Sequence, residues 1–206
     1  MAYSDFTTLT KVREAFGLTI EESIDLFANT PEVMPSAYLQ TTLAENVFLA
    51  TAINTEKARS ELIITPVLLE VRRIFNFQIG FFSGSEFNVD VQAGLSGYCD
   101  YILTASKEAY EIRTPVVTLA EAKNESIKSG LGQCIAEMVA AQLFNQRNGD
   151  AIASIYGAVT TGTDWKFLKL VDKSVWIDKR DYFINEVSRI LGILTTPFKA
   201  FHSLKK

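Results

Sequence analysis

Apolar residues recur at helical spacing through the first quarter of the chain. One such segment covers residues 6–17, where Gly17 predicts the end of a helix. Thr19 and Glu22 have the spacing of a capping box, so we expect the next helix to begin there. A third helix is predicted directly after Ser36. These patterns together predict an N-terminal helical layer over residues 1–54.

The pattern then changes from helical spacing to short apolar runs. Residues 55–75 still predict a helix, with Pro66 near its start or at a kink. Beyond it, β-branched and aromatic runs predict strands, and an Ala-rich run predicts one buried helix. The predicted strands are two within 76–91, separated by a turn at 83–85, and then 98–104, 116–123, 154–162 and 165–171. The predicted helices are 133–144 and 182–194.

This order of elements predicts an α/β protein with a mixed sheet and helices on both sides. The strand over 116–123, the buried helix and the strand over 154–162 form an expected parallel unit, because such strands need a long crossover connection. We predict a single globular unit, with residues 1–54 packed on a core domain over 55–206. No repeat, low-complexity tract or linker divides it.

Composition and charge narrow the function classes. Of the 206 residues 48% are hydrophobic and 21% charged, and the formal net charge is −4. This mild acidity argues against a free-standing nucleic-acid binder, although bound metal ions would weaken the objection by supplying local positive charge. The two cysteines, Cys99 and Cys134, lie in apolar runs and are expected to be buried reduced thiols. With neither a leader nor a membrane-length apolar stretch, we expect a cytoplasmic protein without a membrane partner.

Three charged residues stand within or at the ends of apolar strands. Glu121 and Lys123 are two apart, so their side chains point to the same face of a strand. Pairing of the 98–104 and 116–123 runs would bring Asp100 beside Glu121. Two carboxylates and the main-chain carbonyl of Ala122 suit Mg²⁺ or Mn²⁺, with the Lys123 ammonium beside a bound water. The alternative is structural: a salt pair between Glu121 and Lys123, with Asp100 as a turn or edge residue.

Further polar residues flank this cluster. Gln133 is expected in the first turn of its helix, where it would orient water or phosphate with help from backbone N–H groups. In the 55–75 helix, Glu61 and Glu70 each share a face with apolar residues and could point toward the sheet, and Glu56 lies near the helix start. Helix acids are more often solvated or paired with arginine.

The motifs GYCDYIL with Asp100, TLAEAK with Glu121 and Lys123, and GLGQCIAEM with Gln133 resemble the PD-(D/E)XK nuclease superfamily. The resemblance covers residues 55–175 and implies a restriction-endonuclease-like three-layer α/β/α fold with an αβββαβ core. It implies Mg²⁺-dependent cleavage of nucleic-acid phosphodiesters, with Glu61 as the additional helix acid and Glu56 or Glu70 as substitutes.

The chain departs from the superfamily pattern at two places. GYCD lacks the proline that gives the motif its name, and Glu137 stands where the RecB-like branch has tyrosine. Glu137 is expected to be a further ligand or a salt-bridge partner. A looser similarity links the chain to the N-terminal nuclease domain of type I restriction subunits.

We therefore expect a nuclease acting in restriction, defence or repair, with DNA favoured over RNA as substrate. The alternative is a binding or assembly module of the same fold that is catalytically silent or active only with a partner. Cutting both strands at once needs two active sites, which favours a homodimer or a larger restriction or repair complex.

Overall fold

The structure, a computed structural model, describes residues 1–202 and is built around one mixed sheet. The strands are β1 (Thr19–Glu21), β2 (Gly80–Glu86), β3 (Tyr98–Thr104), β4 (Val116–Ala122), β5 (Ile155–Thr160), β6 (Asp164–Val171), β7 (Ser174–Ile177) and β8 (Tyr182–Phe183). The helices are α1 (Leu9–Phe16), α2 (Ala37–Ile53), α3 (Glu56–Arg59), α4 (Thr65–Ile74), α5 (Ile127–Arg147) and α6 (Val187–Thr195). A π-helical segment, Ser60–Ile64, joins α3 to α4, and 3-10 turns lie at Tyr3–Asp5, Ile184–Glu186 and Thr196–Ala200.

The strand order in the sheet is β1-β7-β6-β5-β4-β3-β2, and β8 pairs with β6 at its end. Strands β2, β3 and β4 form an antiparallel meander. Strand β5 then lies parallel to β4, with α5 as the connection between them. The predicted α/β class with a mixed sheet and the predicted parallel unit are confirmed.

Helices cover both faces of the sheet. On one face, α2, α4 and α6 pack on side chains such as Tyr101 and Ala120, which belong to one buried core. On the other, α1 and α5 pack on side chains such as Ile102 and Leu119, which belong to a second core. Because neighbouring strand residues face opposite ways, each central strand contributes to both cores.

The segment predicted as the second N-terminal helix is a strand. Thr19–Glu21 extends the sheet by pairing in parallel with β7, where Thr19 lies opposite Ser174. The Glu21 carboxylate accepts hydrogen bonds from Glu22 N and Ser23 N and so closes a turn directly after the strand. The capping-box prediction was wrong because pairing with a distant strand outweighs a local spacing. Residues 1–54 therefore contribute to the sheet as well as a helical layer.

The region 76–91 holds one strand where two were predicted. The run Gly80–Glu86 pairs with β3 from Gly80–Thr104 to Glu86–Tyr98 without a break at Ser83–Ser85. Gly84 adopts a left-handed φ of 58° within this edge strand, a conformation that glycine adopts without strain. The Gly-Ser sequence that predicted a turn is thus accommodated inside the ladder.

The buried crossover helix starts earlier than predicted. Helix α5 begins at Ile127, so Gln133 lies almost two turns inside it, and the expected place of Gln133 in the first turn was wrong. Gly130 and Gly132 fall within the helix because both are sites of close approach, which glycine alone permits. A Cβ on Gly132 would lie 2.2 Å from the Phe6 carbonyl oxygen.

The predicted helix over 55–75 is continuous but changes its winding midway. Pro66 lies in the first turn of α4, as its missing N–H requires. The last four residues of the predicted core domain, 203–206, lie outside the described part of the chain. Between residues 1 and 202, no helix is long and apolar enough to cross a membrane.

Candidate functional site

The site lies where the β3–β4 ladder comes to its end. The ladder pairs Tyr101 with Ala120 as its outermost registered pair. Beyond this pair, a side chain replaces the backbone as the hydrogen-bond acceptor: the Asp100 carboxylate accepts a hydrogen bond of 2.8 Å from Ala122 N. This contact anchors Asp100 beside the end of β4, which confirms the expected pairing of the two strands.

Glu121 and Lys123 point to the α5 side of that same strand end. The Glu121 side chain is 1% exposed, and its Oε1 accepts a hydrogen bond from Lys123 Nζ. The strand end is held by β5, since Glu121 lies opposite Val159 and Lys123 N donates to Thr160 O at 2.8 Å. The sequence therefore brings a buried carboxylate and a largely buried ammonium together on a rigid part of the sheet.

Gly130 on α5 leaves the space that Lys123 occupies. A Cβ at this position would lie 3.1 Å from both Cγ and Cε of Lys123 and 2.7 Å from Val159 Cγ1. No other residue type provides the same clearance in this helix. Gly130 therefore belongs to the site by its shape, and the glycine-rich run before Gln133 was the signal in the sequence.

Gln133 reaches a second buried acid on its own helix. Its Nε2 donates a hydrogen bond of 3.1 Å to Glu137 Oε1, four residues and one turn further along α5. Glu137 is completely buried, and its carboxyl group is close enough to Glu121 to be influenced by that residue's charge. Glu137 is thus the member of the site whose role the sequence left open.

Burial and mutual repulsion shift the pKa values of these acids. Burial first, and then the charge of Asp100, raise the pKa of Glu121 to about 8, although Lys123 opposes the shift. Burial and the charge of Glu121 raise the pKa of Glu137 well above its ordinary range. Carboxyl groups with raised pKa values are typical of functional sites, and they also occur in structural ion-pair networks.

The pKa of Lys123 is lowered by burial and raised by the neighbouring acids. Burial alone lowers the pKa of Lys123, but the Glu121 carboxylate and the charges of Asp100 and Glu56 together raise it above its ordinary value. The side chain is therefore an ammonium at neutral pH. It can donate hydrogen bonds and neutralise charge, whereas it cannot accept a proton.

The three helix acids lie in different places. Glu61 is exposed at its side chain (62%) and pairs with Lys57 at 3.3 Å, so it does not point into the sheet. Glu70 is buried, but it accepts a hydrogen bond from Ser36 N and pairs with Arg73 away from the site. Glu56 is the one whose charge reaches Lys123. The apolar helix faces left open whether Glu61 and Glu70 point toward the sheet. Glu70 is buried and Glu61 is exposed.

A cleft with a volume of about 280 Å³ lies between two of the helix acids and Asp100 of β3. Its lining includes Glu56, Glu61, Gly84 and Asp100. Glu61 therefore lies on the rim of the same cleft as Asp100 without contacting Glu121. Its catalytic role stays a prediction.

The donor set can be tested for its fit to a divalent cation. Glu121 Oε2 and Glu137 Oε2 are both buried and have no hydrogen-bond partner in the described chain. Orphaned buried carboxylate oxygens are costly unless a proton or a cation neutralises them. Mg²⁺ commonly uses one or two protein carboxylates and takes its other ligands from water and substrate. Asp100 and Glu121, with the Ala122 carbonyl, fit that requirement.

The same residues do not form a complete protein cage for a metal. Within residues 1–202, no group of three or more His, Cys, Asp or Glu side chains is arranged to hold a metal ion. An ion bound at Asp100 and Glu121 would therefore depend on ligands from outside the protein, which is the ordinary situation for Mg²⁺ at a phosphate-processing site.

Comparisons of the chain with protein-family models, with curated proteins and with solved structures found no match.

Proposed function

We propose that this protein is a Mg²⁺-dependent nuclease that hydrolyses nucleic-acid phosphodiester bonds. The observation that carries the proposal is that Asp100 accepts a hydrogen bond from Ala122 N, the backbone group between the paired residues Glu121 and Lys123. A buried carboxylate with a largely buried ammonium, beside a second, half-buried acid, is costly in a sheet, and that cost is explained if the group binds a cation and a phosphate.

The order of elements supports a restriction-endonuclease-like core. The helical stretch from Glu56 to Ile74 leads into the β2–β3–β4 meander, followed by α5 and the parallel strand β5. This is the αβββαβ order that the resemblance implies. The acidic and basic residues lie on the central strands of that order, at one end of the sheet.

Each residue of the site would have a separate role in catalysis, according to its position. Asp100 and Glu121 would hold the cation, together with the Ala122 carbonyl. When bound, a divalent cation supplies Lewis-acid polarisation of the phosphate and lowers the pKa of water. Lys123 Nζ, already charged, donates a hydrogen bond to a phosphoryl oxygen on which negative charge grows. The rigid β4–β5 pairing keeps Lys123 in place, so little reorganisation is needed during the reaction.

The direct test is cleavage of a panel of DNA and RNA substrates, single- and double-stranded, with Mg²⁺ or Mn²⁺. The proposal expects metal-dependent products from the wild type and none above background from Asp100→Asn or Lys123→Met. Activity that survives in both purified variants would refute the mechanism. The panel also decides between DNA, which we favour, and RNA.

A binding or assembly module is the second candidate, and one observation favours it. Glu121 Oε1 is already paired with Lys123, and Asp100 Oδ2 with Ala122 N, so both acids have a structural partner within the fold. A vestigial site would keep these contacts and bind no metal. Calorimetry with Mn²⁺ separates the two functions, since no heat of binding at millimolar metal would favour the module.

Assembly is part of the same proposal. Cleavage of both strands in one event needs two active sites, so we infer that the protein works as a homodimer or within a larger restriction or repair complex. Sedimentation of the protein with and without a DNA duplex tests the first arrangement. A partner-dependent enzyme would instead be inactive alone and gain activity when the partner is added.

A further inference from the structure

The buried acid Glu137 has no part in the function described so far. It lies on α5 with none of its surface exposed, and α5 packs against β4 and β5. Its Oε1 accepts a hydrogen bond from Gln133 Nε2, and its Oε2 has no partner among residues 1–202. A carboxyl group in this position needs a reason, since an apolar side chain would cost less to bury.

Glu121 on β4 also has a buried carboxylate oxygen without a hydrogen-bond partner in the described chain. Its Oε1 accepts a hydrogen bond from Lys123 Nζ, whereas its Oε2 accepts none from the described residues. Burial first, and then the charge of Glu121, raise the pKa of Glu137, so the two acids are neighbours. A line of polar side chains therefore runs from Gln133 through Glu137 and Glu121 to Lys123.

We propose that Glu137 is a positioning residue that fixes the Glu121 carboxylate from α5, and that Gln133 acts on the site by orienting Glu137. The inference rests on the proposed nuclease function and deepens it. It gives Gln133 an indirect role, because one N–H of its amide donates to Glu137. Glu121 is then held from two sides, by Lys123 on its own strand and by Glu137 on the helix.

Two substitutions separate positioning from simple packing. Glu137→Gln keeps an oxygen that accepts from Gln133 and offers an amide N–H toward Glu121. Glu137→Leu has a similar volume but leaves Gln133 and Glu121 without that neighbour. Partners that orient a metal-binding residue cost about 10- to 100-fold in metal affinity or activity when they are removed. We therefore expect a loss of that size in Mn²⁺ affinity and kcat for Glu137→Leu, and values within about threefold of wild type for Glu137→Gln.

Glu70→Leu is the matched control. Glu70 is also a buried glutamate on a helix, but its carboxylate accepts from Ser36 N and pairs with Arg73, away from the cluster. This variant should lose stability while its folded fraction keeps wild-type Mn²⁺ affinity and kcat. An equal loss of catalysis in Glu70→Leu and Glu137→Leu would reduce the role of Glu137 to packing and overturn the inference.

A double-mutant cycle tests the contact without using activity. The unfolding equilibrium is measured for Glu121→Gln, for Glu137→Leu and for the double variant. Residues in one hydrogen-bonded network are non-additive, and we expect the double variant to depart from additivity by about threefold or more in the unfolding equilibrium constant. Additive effects would overturn the positioning role even in an active nuclease. Coupling in a protein that neither cleaves nor binds Mn²⁺ would support the contact and reject the nuclease function instead.

If Glu137→Leu does not fold, the cycle is not run and Mn²⁺ binding by Glu137→Gln decides the question. A folded Glu137→Gln protein that loses Mn²⁺ binding tenfold or more would show that the carboxyl group itself, and not its hydrogen bonds, is needed. That result would overturn the positioning role as stated.

Discussion

Lys123 Nζ donates a hydrogen bond to Glu121 Oε1 although the two residues lie only two positions apart on β4. Same-face neighbours on a strand meet in this way when nothing else competes for their charges. The pair sits between β5 and α5, with Lys123 20% exposed and Glu121 almost fully buried. Removing either partner therefore leaves the other with an unsatisfied charge in a place that water reaches poorly.

The first prediction concerns Lys123→Met, which keeps the aliphatic stem and removes the ammonium. We expect cleavage to fall by about 10²- to 10³-fold, as for loss of one preorganised donor to a developing oxyanion. Stability above about pH 8, where Glu121 is ionised, should fall by about 1–3 kcal/mol, because Glu121 then loses its only cation. The double variant Glu121→Gln with Lys123→Met should regain stability without regaining cleavage. Wild-type cleavage by the single variant would remove Lys123 from the mechanism.

The second prediction concerns the dependence of stability on pH. The pKa of Glu121 is 4.5 without the protein environment and about 8 in the fold. Between these values the folded state holds a proton that the unfolded state has released, so the free energy of unfolding falls as pH rises. One group contributes at most about 1.4 kcal/mol per pH unit to that slope. The contribution is fully present below pH 4.5 and is lost by about pH 8.

Urea unfolding at several pH values across this window measures the slope. Glu121→Gln should reduce it, since the amide does not titrate, whereas Glu137, whose pKa is also raised by burial, keeps its own contribution to the slope. Glu14→Gln, at an exposed position of α1, controls for the change in net charge. A wild type whose stability stays level or rises from pH 5 to pH 8 would contradict the raised pKa of the buried Glu121 carboxyl group.

The third prediction concerns Gly130→Ala on α5. The new methyl group would press on Lys123 and on Val159, and overpacking of this kind costs about 1–3 kcal/mol, offset by up to about 1 kcal/mol of helix propensity. Because Lys123 must shift, we expect cleavage to fall by about 10- to 100-fold. Gly149→Ala is the control: its φ of 79° makes alanine strained, but nothing lies within 4 Å of the new Cβ. It should change stability alone, and unchanged activity in Gly130→Ala would separate α5 from the site.

The fourth prediction ranks two acids that line the same cleft. Glu56→Gln removes a charge that raises the pKa of Lys123, whereas Glu61→Gln removes one that is exposed and paired with Lys57. Exposed pairs contribute about 0–1 kcal/mol, so neither variant should alter folding much. Cleavage rates under identical metal concentrations should fall more for Glu56→Gln than for Glu61→Gln. The reverse order would make Glu61 the helix acid that the resemblance implies.

Much of the sheet could be predicted because most of its strands correspond to apolar runs that are recognisable from neighbouring residues alone. The apolar runs that became β3, β4, β5 and β6 are short, β-branched and bounded by turn residues, so each could be located to within a few residues. The long connection between β4 and β5 required a parallel pairing. Elements whose formation depends on a distant partner were missed: β1 forms only because β7 offers it an edge.

In the candidate site, too, some residues could be identified and placed from the sequence and others could not be placed. Asp100, Glu121 and Lys123 could be named from the sequence, since charges inside or at the end of an apolar strand are unusual and strand alternation gives their faces. Gln133 could be named but not placed, because Gly130 and Gly132 suggest a loop until their close contacts with Lys123 and Phe6 are known. The sequence left open whether Glu61 points toward the sheet or into solvent, and the structure places it exposed beside Lys57.

By itself the sequence determined the α/β class, the order of the central strands along the chain and the charged residues of β3 and β4. These depend on the spacing of apolar residues and on side-chain alternation, which are local properties. Only the tertiary structure decided that Asp100 bonds to Ala122 N, that Gln133 bonds to Glu137, and that Glu137 lies against Glu121. Those contacts join residues on different elements, or follow from where a helix begins, so they are fixed by how α5 packs on the sheet.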